Sequence, residues 1–208
     1  MNIEQLQQLI DFDTILYSSA GAAILLAAGL LIKAIVKNLE KSKDKRRLLS
    51  IVKSISPYYL RDFTCADGVN GFIHIDYMLL TPSGLWVLTE QDFPGNIFGG
   101  ANIEQWTQVV QNKSYKFQNP LPYNRECAQA IRNFDPEMHV HHLTVFTSAG
   151  TFPKGIPEKV SLTNKLRQDI APHATKENPP TKDQISRWHT LKQQIIGSQV
   201  AAPISAHR

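Results

Sequence analysis

The sequence has few cysteines and lacks the short motifs that mark common hydrolase and nucleotide sites. Its 208 residues contain only Cys65 and Cys127, too few for a disulfide-stapled scaffold and compatible with a reducing compartment. It has no glycine-rich phosphate loop, no Ser-His-Asp order and no Cys-x-x-Cys pair, which excludes those sites. With 42% hydrophobic and 19% charged residues, the chain is expected to fold.

Charge is absent from one long segment near the N-terminus. Nineteen residues, 14–32, carry no charged side chain between Asp13 and Lys33. As a helix they span roughly 28 Å, close to the hydrocarbon thickness of a bilayer. A signal peptide would need a positive N-terminal region, whereas Glu4, Asp11 and Asp13 precede this segment. The segment predicts a transmembrane helix over residues 14–36.

The segment that follows is rich in basic residues, which predict the orientation of the membrane helix. Because basic flanks stay cytoplasmic, residues 1–13 are predicted to face outwards and the rest of the chain to lie in the cytosol. The same stretch can also bind anionic lipid or a nucleic-acid backbone. The basic topology residues of the segment 37–47 are Lys37, Lys41, Lys43, Lys45, Arg46 and Arg47.

The remainder predicts one α/β domain over residues 48–172, followed by a C-terminal helix and loose tail over 173–208. Beyond residue 47 there are 15 Lys and Arg against 13 Asp and Glu, and this net charge of +2 is no strong nucleic-acid signature. Periodicity predicts a mixed sheet flanked by helices. The predicted helices are 47–54, 121–134, one ending near 170 and one from a capping box at Thr181 and Gln184 to 196; the strands are 71–80, 85–89, 105–110 and 142–146.

Alternation within the predicted strand 71–80 assigns its side chains to two faces. Phe72, His74, Asp76 and Met78 are expected on one face. His74 and Asp76, two residues apart, could therefore share a metal ion. Cys65 is expected in a loop before this strand.

Three stretches of the chain resemble the NERD, or nuclease-related domain, family. They are HIDYMLLTPSGLWVLTEQDFPGNIFG with the later Trp106, then YKFQNPLPYN, then VFTSAGTFPKGIPEKVSLTNKL, which together cover roughly residues 70–170. The resemblance implies a restriction-endonuclease-like core of the PD-(D/E)XK superfamily. Bacterial members often carry a membrane span beside the domain, so the implied location is a bacterial inner membrane, with a single pass.

The family's catalytic pattern is only partly present. Members place an Asp in the first strand, Glu-x-Lys in the second and a Gln in the helix after Asn-Pro. Such residues hold Mg²⁺ and activate water for phosphodiester hydrolysis. Asp76 matches the Asp, whereas Glu-x-Lys falls on Thr89, Glu90 and Gln91, and the Gln falls on Tyr123.

The missing charges favour a degenerate site. Glu90 should point to the face opposite Thr89 and Gln91, and only a one-residue strand bulge would bring it to the metal. Asp92 is a substitute ligand on Glu90's face. The candidate catalytic residues are therefore Asp76, Glu90 and Gln91, and the candidate ligands for Mg²⁺, in an active enzyme, are Asp76, Glu90 and Asp92.

Two further groups of residues are candidates for binding. Basic residues are interleaved with aromatic ones around the stretch YKFQNPLPYN, a pattern that predicts a sparse nucleic-acid surface. Its members are Lys113, Lys116, Tyr123, Asn124 and Arg125. His139, His141 and His142 suggest zinc, but no Cys or carboxylate stands at matching spacing. Surface or strand-entry histidines are the preferred interpretation.

Three functions remain open. The first is a membrane-tethered, nuclease-like module that binds DNA, RNA or a protein partner without efficient cleavage. The second is an active Mg²⁺-dependent DNA endonuclease with migrated ligands, which a bulge between Val87 and Asp92 would favour. The third is a scaffold subunit of a membrane or DNA-transfer complex.

Overall fold

A computed structural model describes residues 26, 27, 29–32, 43–170 and 179–200, with side chains to residue 198. The described residues fall into two compact units, one up to Lys45 and one from Arg46 onwards. The predicted membrane span lies outside the described residues apart from 26, 27 and 29–32, which are helical and exposed. None of the described helices has the length and apolar character needed to cross a membrane.

The second unit is a mixed α/β domain with two sheets, where the sequence predicted a single sheet. Helix α1 occupies the described residues 43–55. The five-stranded first sheet has the order β1-β2-β3-β7-β9 and the four-stranded second sheet the order β6-β5-β4-β8. In chain order the elements are β1 Tyr59–Ala66, β2 Phe72–Thr81, β3 Gly84–Gln91, β4 Gly95–Phe98, β5 Gln105–Val110, β6 Lys113–Gln118, α2 Pro120–Phe134, β7 Val140–Phe146, β8 Gly150–Thr151, β9 Val160–Leu162, α3 Leu166–Ile170 and α4 Lys182–Val200.

The predicted helices are confirmed. The first residues of two of them are fixed by capping hydrogen bonds from residues close in sequence. The Asn119 side chain accepts a hydrogen bond from the main-chain amide of Leu121 and so caps the N-terminus of α2. Thr181 and Gln184 form the predicted reciprocal capping box, with N···O distances of 2.8 and 3.2 Å. The helix that it opens packs on the first sheet through Trp188 and Leu191.

The first sheet is buried on both faces. One face packs against α2 and α4 through residues that include Ile75, Met78 and Val87. The other face packs against α1 and α3 through residues that include Tyr77 and Leu88. Burial on both faces suits β3, whose first five residues, GLWVL, are apolar.

The alternation predicted for β2 is wrong from Tyr77 onwards. Ile75 and Met78 lie in the same core cluster although they are three residues apart, and Tyr77 lies in the opposite one. The pairing of β1 with β2 skips one position, between Arg61–Tyr77 and Phe63–Ile75. The omitted pair is Asp62 with Asp76, and Asp62 has φ +53°, a left-handed conformation that lies outside the extended region of a regular strand.

Strand β1 itself was not predicted, and Cys65 lies in it rather than in a loop. The Cys65 side chain is buried in the core, where burial raises the pKa of its thiol to about 11. Cys65 is therefore a small core residue.

The second sheet packs its inner face on an aromatic cluster at the end of the first sheet. Ile97 and Trp106 pack with Phe146 and Val160, and the Trp106 and Phe146 rings stack at 5.9 Å between centroids. Gln111 and Asn112, both with positive φ, make the two-residue turn that joins β5 to β6.

Candidate functional site

Asp76 lies where the pairing of β2 with β3 ends. The last paired residues are Tyr77 and Leu88. One step further, the Asp76 carboxylate accepts a hydrogen bond from the main-chain amide of Glu90, at 2.8 Å. A carboxylate that accepts a main-chain amide is held firmly by a charge-assisted bond, so Asp76 replaces the missing ladder bond.

Asp76 also belongs to a small polar group with His74 and Asp62. The His74 Nε2 atom lies 3.4 Å from Asp62 Oδ1 and 3.6 Å from Asp76 Oδ1. His74 and Asp76 share a side of β2, as the sequence predicted. Nothing in the sequence pointed to Asp62, because its approach to His74 depends on the pairing of β1 with β2.

The position expected to hold the family's glutamate is a buried threonine. Thr89 is 1% exposed, and its hydroxyl has no hydrogen-bond partner among the described residues. Its neighbour in register on β7 is Thr144, which is also fully buried and whose hydroxyl likewise lacks a partner in the described part of the chain. This pair of hydroxyls was not foreseen, because it depends on the parallel pairing of two distant strands.

Strand β3 carries no bulge at this point. Its register with β7 runs without interruption from Leu85–Val140 to Gln91–Phe146. Regular alternation therefore puts Glu90 on the face opposite Thr89 and Gln91. Glu90 lies on the side of Tyr77, whose pKa is raised to about 12 by burial and then by the charges of Glu90 and Asp76.

Asp92 lies beyond the end of β3. Its carboxylate accepts a hydrogen bond from the Thr147 hydroxyl at 3.3 Å. Thr147 follows β7, so the bond joins the ends of two neighbouring strands.

Helix α2 covers the strand that carries Asp76. The Tyr123 hydroxyl donates to the His74 carbonyl oxygen at 2.8 Å. Burial raises the pKa of Tyr123 and that of Cys127 to about 12, so at neutral pH both side chains are protonated.

The residues predicted to bind nucleic acid are divided between two elements. Lys113 and Lys116 are exposed on β6, whereas Tyr123 and Arg125 are exposed on α2. Asn124 is fully buried; it contacts His142 Nδ1 at 2.8 Å and the Leu143 carbonyl at 3.4 Å.

The three histidines near the start of β7 form two separate groups. The His139 and His141 rings contact each other at 4.3 Å between centroids. The His141 ring stacks on Trp86 at 4.5 Å, while His142 contacts Asn124 on the α2 side. Across the described residues, no group of three His, Cys, Asp or Glu side chains could hold a metal ion.

These side chains do not fit the magnesium ion that the family resemblance implies. Mg²⁺ prefers several oxygen ligands in nearly ideal octahedral geometry. Asp76 is engaged with the Glu90 amide, Thr89 is a buried hydroxyl, and Asp92 bonds to Thr147. The Asp76 and Asp92 carboxylates have separate partners, and the described acidic residues form no common cage for the ion.

The comparisons with known proteins agree with the resemblance. The sequence matches the family model of the nuclease-related domain, NERD, over residues 40–147. It is also similar to an uncharacterized protein of Bacillus anthracis, with 29% identity over 115 residues that cover 52% of this chain and 54% of the relative. The chain thus spans about half the length of that curated relative. No solved structure matches the chain. The family match covers more than half of the 208 residues, and the chain belongs to the NERD family.

Proposed function

We propose that this chain is a NERD-family module that binds nucleic acid without cleaving it efficiently. The observation that carries the proposal is Thr89, a buried hydroxyl with no partner among the described residues at the position of the family's glutamate. A side chain that is 1% exposed presents no oxygen to a metal ion that arrives from solvent. An uncharged hydroxyl also supplies no ligand charge to hold one.

The lysine position supports the same conclusion. Gln91 takes the place of the lysine that would orient water and offset charge in the transition state. Glutamine is neutral and cannot supply that charge. Both charged members of Glu-x-Lys are therefore replaced, while Asp76 has a structural partner in the Glu90 amide.

An active Mg²⁺-dependent endonuclease is the second candidate function. The observation in its favour is that Glu90 and Asp76 both lie close to Tyr77, so that the two negative charges raise the pKa of its hydroxyl. The regular register of β3 with β7 weighs against it, because a bulge would be needed to turn Glu90 towards the face of Thr89.

The module is further proposed to be anchored in a bacterial inner membrane, with its main domain in the cytoplasm. The uncharged run 14–32 and the basic residues that follow support this topology. Such a tether would hold the binding module at the membrane surface, where a protein complex is the alternative partner.

The test uses the full chain in a mild detergent, with labelled single-stranded and double-stranded DNA. Wild type, Asp76→Ala and Asp92→Ala are incubated with Mg²⁺, Mn²⁺ or EDTA. We expect a gel shift without cleavage under all three conditions. Metal-dependent cleavage that Asp76→Ala abolishes would overturn the proposal and identify an active nuclease. Neither shift nor cleavage would favour a protein partner instead.

A further inference from the structure

The second sheet has an outer face that faces away from the aromatic core. Because Ile97 and Trp106 point into the core, alternation directs Phe98 and Thr107 to the other side. Phe98 pairs with Thr107, and Thr107 pairs with Lys116. These three side chains therefore form a row across the outer face of the second sheet.

The row combines an aromatic ring with positive charge. Phe98 is half-buried, and Lys116 is exposed. The Lys154 Nζ atom lies 5.9 Å from the centroid of the Phe98 ring, a distance typical of a cation–π contact. A cationic side chain therefore stands at each end of the row. Lys154 lies next to the Phe98 ring, and Lys116 lies two strands away from it.

No carboxylate opposes this charge within the sheet. The four strands β4, β5, β6 and β8 contain no Asp or Glu; the acidic residue next to them in sequence is Glu104, which precedes β5. The neighbours of the row on the outer face are polar or small, namely Asn96, Gln105, Val109, Ser114, Gln118 and Thr151. The face is thus weakly positive and rich in hydrogen-bonding groups.

We infer that the outer face of the second sheet binds single-stranded nucleic acid, with a base stacked on Phe98 and phosphates held by Lys116 and Lys154. This inference rests on the proposed function and locates its binding surface. Base–aromatic stacking beside a basic track is how sheet surfaces bind single strands. Lysine has a long, flexible stem, so Lys154 can leave the ring for a phosphate when a base stacks.

A single strand fits this row better than a duplex. In a duplex the bases are stacked on one another, and only a single strand offers an open base face to an isolated ring. The row spans two strand spacings, about 10 Å. A backbone held by Lys116 at one end of the row and by Lys154 at the other would bring a base next to the Phe98 ring.

Strand β6 supplies a matched control for each part of the surface. Lys113 and Tyr115 are exposed like Lys116, but alternation puts them on the opposite face of the strand. The inference therefore removes Lys113 from the surface that the sequence predicted. Lys113→Glu therefore makes the same change of charge as Lys116→Glu, on the wrong face. Tyr115→Ala similarly removes an exposed aromatic ring from outside the surface.

The experiment measures fluorescence anisotropy of a labelled 20-nucleotide oligo-dT with the full chain in detergent, in EDTA, over a salt series. We expect Phe98→Ala to weaken binding about fivefold or more, since base stacking contributes substantially per base. Lys116→Glu should weaken binding and reduce the slope of log K against log salt by about 0.7. Lys113→Glu and Tyr115→Ala should leave affinity close to wild type, and a matched duplex should bind more weakly.

The possible failures are distinguishable. Wild-type binding that Lys116→Glu and Lys154→Glu leave unchanged would overturn the inference but not the proposed function, and these two exposed positions test the surface even where Phe98→Ala does not fold. Equal losses from Lys113→Glu and Lys116→Glu would also overturn the inference, because the face would not matter. No binding of any nucleic acid by wild type would overturn both.

Discussion

The Asp76 carboxylate accepts a hydrogen bond from the main-chain amide of Glu90, with 2.8 Å between Oδ2 and the amide nitrogen. This bond continues the pairing of β2 with β3 one step beyond Tyr77 and Leu88. The residue that matches the family's first catalytic aspartate is thereby part of the sheet's own hydrogen bonding. Its retention has a structural reason that does not depend on catalysis.

This relationship predicts a loss of stability when Asp76 is truncated. Asp76→Ala leaves the Glu90 amide without its acceptor and should lower the free energy of unfolding by about 1–3 kcal/mol, towards the lower end because the side chain is 32% exposed. Asp76→Asn keeps a carbonyl acceptor and should lose less. Urea denaturation of the full chain, followed by tryptophan fluorescence, measures both. Equal losses in the two variants would show that the hydrogen bond is not the cause.

The buried threonines predict the opposite effect. Thr89→Val and Thr144→Val remove hydroxyls that lack partners among the described residues, at nearly constant side-chain volume. Each should raise the free energy of unfolding by about 1 kcal/mol, because an unsatisfied buried polar group is costly. Thr163→Val is the control: its hydroxyl is equally buried but donates to the Phe146 carbonyl at 3.1 Å. That variant should be destabilised by about 1 kcal/mol, and a gain there would contradict the argument.

Restoring the family's charged pair predicts a gain of metal dependence. Thr89→Glu with Gln91→Lys buries a carboxylate, which should lower the melting temperature in EDTA. Mg²⁺ should raise that temperature again, because an ion that binds only the native state stabilises it. Differential scanning fluorimetry with and without Mg²⁺ measures this, with Glu90→Gln in the same background as control. If Mg²⁺ leaves the melting temperature of the double variant unchanged, the site is not a degenerate metal site.

His142 predicts a dependence of stability on pH. Burial lowers the pKa of its imidazole, and the charges of Lys159 and Arg132 lower it further. The unfolded chain, with an ordinary histidine pKa of about 6.5, therefore binds the proton more readily than the native state. Stability from His142 is complete above about pH 6.5 and is lost as pH falls towards the native pKa, with a slope of at most about 1.4 kcal/mol per pH unit. Denaturation from pH 8 to 5 should show a smaller loss in His142→Gln than in wild type; identical profiles would exclude this role.

Local chemistry made the helices predictable. Capping hydrogen bonds join residues that lie within four positions of each other in the sequence. Examples are the capping box of Thr181 and Gln184 and the cap at Asn119. Periodicity likewise predicted β2, β3, β5 and β7. The second sheet was missed because the partners of β4, which are β5 and β8, come from separate parts of the chain. No periodicity within one strand reports which other strand it joins.

The sequence by itself determined which residue types stand at the positions that the resemblance aligns with the family's catalytic pattern, namely Asp76, Thr89 and Gln91. Only the tertiary structure decided what those residues do. The hydrogen bond of Asp76 with the Glu90 amide and the pairing of Thr89 with Thr144 depend on how β2 and β7 lie in register with β3. Such relationships join residues up to 55 positions apart, and they are fixed by burial and hydrogen bonding across the whole sheet, which no local pattern of sequence encodes.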